Sequence, residues 1–240
     1  MNAQSYPIIR LGEAVDRVTK GTTPTTHGHS YTDESVSFLR VENLQNGVVD
    51  TSKVRTFISQ EADRFLKRSS LEAGDILISI AGTIGRVAIV REHDVPANTN
   101  QAVAIIRGAA KRFEPAFLRF ALESPLLHQH ITEGARGGAM QNISLEDVRN
   151  VVVPIPPLPE QRRIVAEIEK QFTRLDAGVA ALKRVRAGLK RYRAAVLKAA
   201  CEGKLVPTEA ELAKVAAASR RSESGSVSVQ FPQDDMIAGV

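Results

Sequence analysis

From Pro154 to Lys204 the chain opens with PIPPLPEQRRIVAEIEKQF, and this run limits the possible fold more than any other. Prolines at 154, 156, 157 and 159 cannot donate to a ladder, and each disfavours helix in the residue before it. Pro159 stands where a first helical residue is wanted, and Glu160 places an acid in the first turn, as the macrodipole favours. No proline follows before Cys201, the only glycines there are Gly178 and Gly188, and Gly203 supplies the stop. The pattern predicts one helix of about 43 residues, roughly 65 Å long at ~1.5 Å per residue.

Inside it, Ile168, Leu175, Leu182, Leu189 and Val196 recur every seven residues. Phe172 and Val179 lie four residues after the first two, whereas Val185, Tyr192 and Ala199 lie three after the last three. The stripe stays apolar but crosses from one flank of the heptad line to the other, which describes a broad face and not a strict zipper. A rod that long cannot bury such a face on an ordinary domain, and no second long helix is expected in the chain. The residues Ile168, Phe172, Leu175, Val179, Leu182, Val185, Leu189, Tyr192 and Val196 are therefore read as a surface for a partner helix.

The formal charge of +5 is unevenly placed. Residues 1–158 hold 17 basic and 17 acidic side chains, residues 159–204 hold 12 against 5, and residues 205–240 hold 3 against 5. The basic character belongs to the helix, densest at Lys183, Arg184, Arg186, Lys190, Arg191 and Arg193 with no acid among them. Such a face serves phosphates or an acidic partner protein, or is simply solvated. No apolar run approaches the length of a membrane span and MNAQSYPIIR has no signal core, so neither insertion nor secretion is expected. One cysteine, Cys201, excludes an intrachain disulfide and fits a reducing compartment, the cytoplasm.

Residues 1–157 read as a mixed α+β domain of short strands joined by polar loops. Residues 6–18 read as a short strand followed by a helical turn or two, further strands are expected in 36–41, 75–80, 86–90, 101–106 and 151–155, and Asn46-Gly47 is a hairpin signal. Residues 20–32 are too rich in Gly, Thr and Pro to be regular, and 96–100 is expected as a loop. Short helices are expected at 59–68 and, broken near Pro125, at 114–133. Ser144 with Asp147, and Thr208 with Glu211, are capping-box starts, the second for a helix to about Ala218. The composition from Ser219 onward is that of a disordered end. Three parts are thus expected: a reading domain 1–157, a spacer helix 158–204 and a tail 205–240.

Catalytic chemistry has little support. His27-Gly-His29 and His128-Gln-His130 lack the cysteine or clustered carboxylates of a tetrahedral set, so no metal site is assigned. Gly82-Thr-Ile-Gly85 is too short for a phosphate loop and lacks its Lys-Ser/Thr, so no cofactor is assigned either. Three loops do suit nucleic acid: Lys20-Gly-Thr-Thr-Pro24, Asn98-Thr-Asn-Gln101 and Arg136-Gly-Gly-Ala-Met-Gln-Asn142. Arg pairs with guanine, Asn or Gln with adenine, and glycine lets backbone approach the duplex. The candidate DNA contacts are Lys20, Thr22, Thr23, Arg40, Asn43, Thr83, Arg86, Asn98, Asn100, Gln101, Arg136, Gln141 and Asn142.

Further short pieces are Leu11-Gly-Glu13, Gly74-Asp-Ile-Leu77, Gln141-Asn-Ile-Ser144 and Gly203-Lys-Leu-Val206. In their order and spacing, together with Gly21-Thr-Thr-Pro24, Gly82–Gly85, Asn98–Gln101 and above all Ile155-Pro-Pro-Leu-Pro-Glu-Gln-Arg-Arg-Ile-Val165, they resemble the specificity subunits of Type I restriction–modification systems. The resemblance spans residues 6–206. It implies a target recognition domain followed by a long helix that pairs antiparallel with a partner helix. It also implies a non-catalytic role, with modification subunits supplying methyl transfer and a restriction subunit supplying cleavage at a bipartite double-stranded DNA target. The family's usual chain carries two recognition domains and two helices, whereas this one carries one of each. That departure implies either a half-subunit that forms a homodimer or a fragment of a longer chain. A competing reading is an adaptor whose rod docks proteins without reading DNA, and a third is an enzyme acting alone.

Overall fold

The computed structural model describes residues 6–125 and 142–223, with side chains to residue 220. In chain order these form β1 (Ile8–Arg10), α1 (Leu11–Ala14), β2 (Arg17–Lys20), β3 (Tyr31–Thr32) and β4 (Val36–Leu39). There follow β5 (Leu44–Gln45), β6 (Gly47–Val49), β7 (Phe57–Ile58), α2 (Gln60–Phe65), β8 (Ile76–Ser79) and β9 (Val87–Ile89). Then come β10 (Ala97–Thr99), β11 (Val103–Arg107), α3 (Pro115–Glu123), α4 (Leu145–Asn150), β12 (Val152–Pro154), α5 (Leu158–Cys201) and α6 (Glu209–Glu223). The chain divides into two compact units, Met1–Phe172 and Thr173–Val240.

The centre of the first unit is a six-stranded sheet in the order β2-β11-β8-β9-β6-β5. β11 lies antiparallel to both β2 and β8, and β6 runs parallel to β9. Side chains alternate across the pleat. Ile76, Ile78, Ala104 and Ile106 face one core with Leu11, Phe113, Leu118, Val148 and Val165. Leu77, Val103, Ile105 and Ala88 face the other, with Leu39, Leu44, Val49 and Ala97. Because both faces are covered, ILIS and VAII read as continuous apolar runs and not as alternation. A four-stranded sheet, β10-β4-β7-β3, buries Val36, Phe38 and Ile58 against Ala62 and Leu66 of the α2 region. A two-stranded pair, β1-β12, closes the chain ends of the domain.

Local signals place several elements where the sequence predicts them. Asn46 (φ 52°) and Gly47 (φ 77°) take the two left-handed positions of the β5–β6 hairpin. The Ser59 hydroxyl accepts from Ala62 N–H to cap α2, and Ser144 and Asp147 complete the capping box of α4. Other elements differ. Residues 17–18, expected to end a helical turn, and 97–99, expected as loop, lie in strands, because β11 and β4 offer them ladder partners distant in sequence. α3 ends at Glu123, one residue before the Ser124 that precedes Pro125, where proline disfavours helix. The expected continuation to 133 lies largely outside the described residues. α6 is longer than expected, reaching Glu223, and carries the Thr208–Glu211 box at its start.

The long helix spans Leu158–Cys201, as the prolines and Gly203 predict. Within the first unit, Gln161 and Val165 are buried and the Phe172 ring meets Phe120 edge-on at 5.8 Å. Within the second, Leu175, Val179, Leu182, Val185, Leu189 and Tyr192 are all exposed.

Candidate nucleic-acid interface

Backbone hydrogen bonds draw two of the three predicted loops together. Gly21 N–H donates to Val103 O and Thr22 N–H to Thr99 O, both at 3.1 Å. A Cβ on Gly21 would run into the carbonyls of Thr99 and Asn100, so only glycine permits the approach. Thr23 Oγ1 then donates to Gln101 Oε1, and Arg68 Nη2 donates to Thr22 Oγ1 at 3.2 Å. Residues from three separate stretches, Thr22–Thr23, Arg68 and Gln101, thereby form one polar cluster.

The Gly82–Gly85 turn joins them from the other side. Both glycines have positive φ, 75° and 81°, and Ser79 holds the turn by donating to Thr83 O at 2.6 Å and accepting from Arg86 N–H at 2.8 Å. Arg86 Nη1 reaches Val41 O at 3.4 Å. A bridge between Ala81 and Asn142, followed by Ile143 N–H donating to Ile80 O at 2.9 Å, fixes the end of the third loop against this turn. Glu42, Thr83, Arg86, Gln101 and Asn142 then line one open cleft of about 630 Å³.

Not every predicted residue faces that cleft. Asn98 is fully buried: its Nδ2 donates to Asp63 Oδ1 at 2.8 Å and its Oδ1 accepts from Thr99 N–H at 2.8 Å. Thr99 is buried too and ties β10 to Leu39 O at 3.0 Å. Asn43 is 2% exposed, its Oδ1 accepting from Arg40 N–H at 2.9 Å. Asn98 and Asn43 are therefore corrected from loop contacts to internal ties, since their polar atoms are enclosed by protein. Asn100 Oδ1 accepts from Ala102 N–H at 3.1 Å and shapes the turn that presents Gln101. Arg40 lies over the Tyr31 ring at 5.6 Å with its Nε buried, and Lys20 is exposed at the end of β2. Arg136 and Gln141 lie outside the described residues.

Two features have no local sequence signal. Arg68 enters the cluster from the turn after α2, and Phe65, 62% exposed, stacks against His27 and His29 at 5.5 and 5.0 Å between centroids. The HxH pair is thus an aromatic cluster, and among the described residues no group of three His, Cys, Asp or Glu could hold a metal ion.

The profile of the Type I restriction modification DNA specificity domain matches residues 6–183, well over half the chain. The chain belongs to this family. The EcoBI specificity subunit of Escherichia coli is 36% identical over 144 residues, covering 60% of this chain and 30% of the relative. The EcoKI specificity subunit of Escherichia coli K12 is 27% identical over 175 residues, 72% of this chain and 37% of the relative. The fold is similar to the HsdS subunit from Thermoanaerobacter tengcongensis, with TM-score 0.59 and 21% identity over 82% of this chain and 49% of that one. A chain from a structure of complex assembly and conformational transition of the type I R-M system gives TM-score 0.64 and 24% identity, over 85% of this chain and 48% of that one. This chain spans half or less of the length of each of these proteins. The pieces that carry the family likeness are largely architectural here: Asp75 of Gly74-Asp75 and Gln161 of Pro159-Glu160-Gln161 are buried ties.

Proposed function

We propose that this chain is the non-catalytic, sequence-specific DNA-recognition subunit of a Type I restriction–modification complex. It directs modification and restriction subunits to a bipartite duplex target. The observation that carries the reading is the cleft. Segments scattered from Glu42 to Asn142 converge on one open concavity, with Glu42, Thr83, Arg86, Gln101 and Asn142 among its lining, in a domain whose family is defined by DNA specificity. In this reading Gln101, Asn142, Thr83 and Arg86 of the cleft, with the cluster of Thr22, Thr23 and Arg68 that adjoins it through Gln101, meet bases and phosphates, and Lys20 and Arg40 lie further out. Arg, Gln and Asn there have the donor–acceptor sets that discriminate guanine and adenine.

A duplicate copy supplies the second half-site in this reading. The exposed stripe on α5 pairs antiparallel with the same stripe of a second chain, an isologous contact that favours a palindromic split target. No helix among the described residues is long and apolar enough to cross a membrane, which suits work on DNA in the cytoplasm. The adaptor reading is less favoured, because it leaves the cleft without a role.

The test is co-expression with a modification subunit, followed by mapping of methylated bases across the host genome. A single split motif is expected, and Gln101→Ala or Arg86→Ala should relax or change it. Methylation without a motif, or none with an active modification subunit, would sink the reading.

A further inference from the structure

We propose that the basic side of α5 beside and behind the apolar stripe, carrying Lys183, Arg184, Arg186, Lys190, Arg191 and Arg193, binds the phosphate backbone of duplex DNA without regard to sequence. The proposal rests on the DNA-recognition reading above and gives the long helix a second role besides spacing and pairing.

The contrast along one helix is the first support. Arg162, Arg163, Lys170 and Lys198 are each ion-paired, with Glu114, Glu160, Glu167 and Glu202. The six cations of the middle segment make no ion pair among the described residues, and all six are exposed. Like charges three and four residues apart, such as Lys183–Arg186 and Arg186–Lys190, repel one another on a helix. A segment that concentrates this repulsion, with no acid to relieve it, is matched to an anion from outside.

Angular placement separates this face from the partner face. At about 100° per residue, Leu182, Val185, Leu189, Tyr192 and Val196 fall in one sector of the helix. Lys183, Arg184, Lys190 and Arg191 fall on the other side, Arg186 and Arg193 flank the stripe, and the only other residues between 183 and 194 are Ala187 and Ala194, with Gly188. Lys183, Arg186, Lys190 and Arg193 succeed one another along a shallow groove that also touches Ala187 and, at its edge, Leu189. Covering the stripe with another helix leaves Lys183, Arg184, Lys190 and Arg191 in water and Arg186 and Arg193 at the rim of the contact.

Duplex DNA fits this surface better than an acidic protein does. A stable protein interface needs an apolar or aromatic centre, and between its cations this face offers only alanine methyls and a glycine. A run of phosphates requires charge alone. Residues 1–158 carry equal numbers of acids and bases, so the chain's net positive charge lies on the helix. Counterion release, the main source of sequence-independent affinity, is then expected to come largely from the helix.

The test compares the full-length chain with a Lys183→Gln, Arg186→Gln, Lys190→Gln, Arg193→Gln variant, titrating a mixed-sequence duplex across a salt series. Glutamine keeps helix propensity, and circular dichroism checks that helix content is unchanged. The slope of log affinity against log salt should become shallower by about three to four, at ~0.9 for each phosphate no longer neutralised. A single Lys190→Gln change, which cannot unfold the rod, should reduce the slope by about one. Coincident slopes would overturn this inference alone, the more so if the variant no longer bound a purified modification subunit, which would make the face a protein dock. If the unaltered chain binds no duplex, alone or with a modification subunit, the DNA-recognition reading falls and this one falls with it.

Discussion

Gln161 Oε1 accepts a hydrogen bond from the backbone N–H of Glu114 at 2.8 Å, tying the first turn of the long helix to the N-cap of α3. The Gln161 amide also donates to Pro156 O at 2.8 Å and Arg112 O at 3.0 Å, and the residue is fully buried. Gln161→Leu keeps the volume but leaves one N–H and two carbonyls without this partner. Each buried group so stranded costs about 1–3 kcal/mol, so a loss of about 3 kcal/mol is expected in urea unfolding of the first unit. A change within experimental error would show that the tie is dispensable.

Asp75 holds Arg107 through two hydrogen bonds, Nε to Oδ1 at 2.8 Å and Nη2 to Oδ2 at 2.6 Å, and accepts Glu72 N–H at 2.8 Å. The hydrogen bonds from Arg107 to Asp75 push the Arg107 pKa above its usual value. The Asp75 side chain is 2% exposed and that of Arg107 is 17% exposed. Asp75→Ala removes both bonds but leaves the guanidinium Glu72 Oε1 and Ser70 O as partners, and should cost about 3 kcal/mol. Arg107→Met leaves the more deeply buried Asp75 carboxylate with the Glu72 N–H and should cost more, up to about 5 kcal/mol. Equal losses in denaturant midpoint would contradict this ordering.

Gly21 lies where two loops touch. Gly21→Ala forces the Thr99 and Asn100 carbonyls away and should destabilise by about 1–3 kcal/mol, as overpacking does. Because Thr22 and Thr23 follow directly, the methylated motif should blur even in molecules that remain folded. Unchanged sequence preference with unchanged stability would mean that the loops separate freely.

The α5 stripe predicts self-association. Light scattering should find about twice the 26.1 kDa chain mass, and Leu182→Lys with Val185→Lys should return the monomer without loss of helix. Both side chains are more than half exposed, so the substitutions cost the isolated chain little. A double variant that stays dimeric would move the interface elsewhere, and a chain that is monomeric when unaltered would reserve the stripe for a different partner.

What could be read in advance followed locality. Pro159, the heptad line and Gly203 act within a few residues of themselves, and they define the rod to within one residue at its start. Asn46-Gly47 and Ser144–Asp147 specify their turn and cap by their own backbone and side-chain chemistry. Strand β10 was hidden because Ala97–Thr99 becomes a strand only by lying parallel to Val36–Leu39, far away in the chain. The same distance made Asn98 look like a reader in a polar loop, when Asp63 and the Leu66 carbonyl were waiting to enclose it.

The amino-acid sequence by itself determined the family, the long helix and the division of charge between a neutral domain and a basic rod. The family is carried by short motifs in their order, the helix by periodicity and the charge by composition. Only the tertiary structure decided which polar side chains are ties and which face outward. A carboxamide in a loop reads the same whether its partner is a base, water or a buried carboxylate. The packing of β4, β10 and α2 encloses Asn98, while the turn shaped by Asn100 leaves Gln101 in the open.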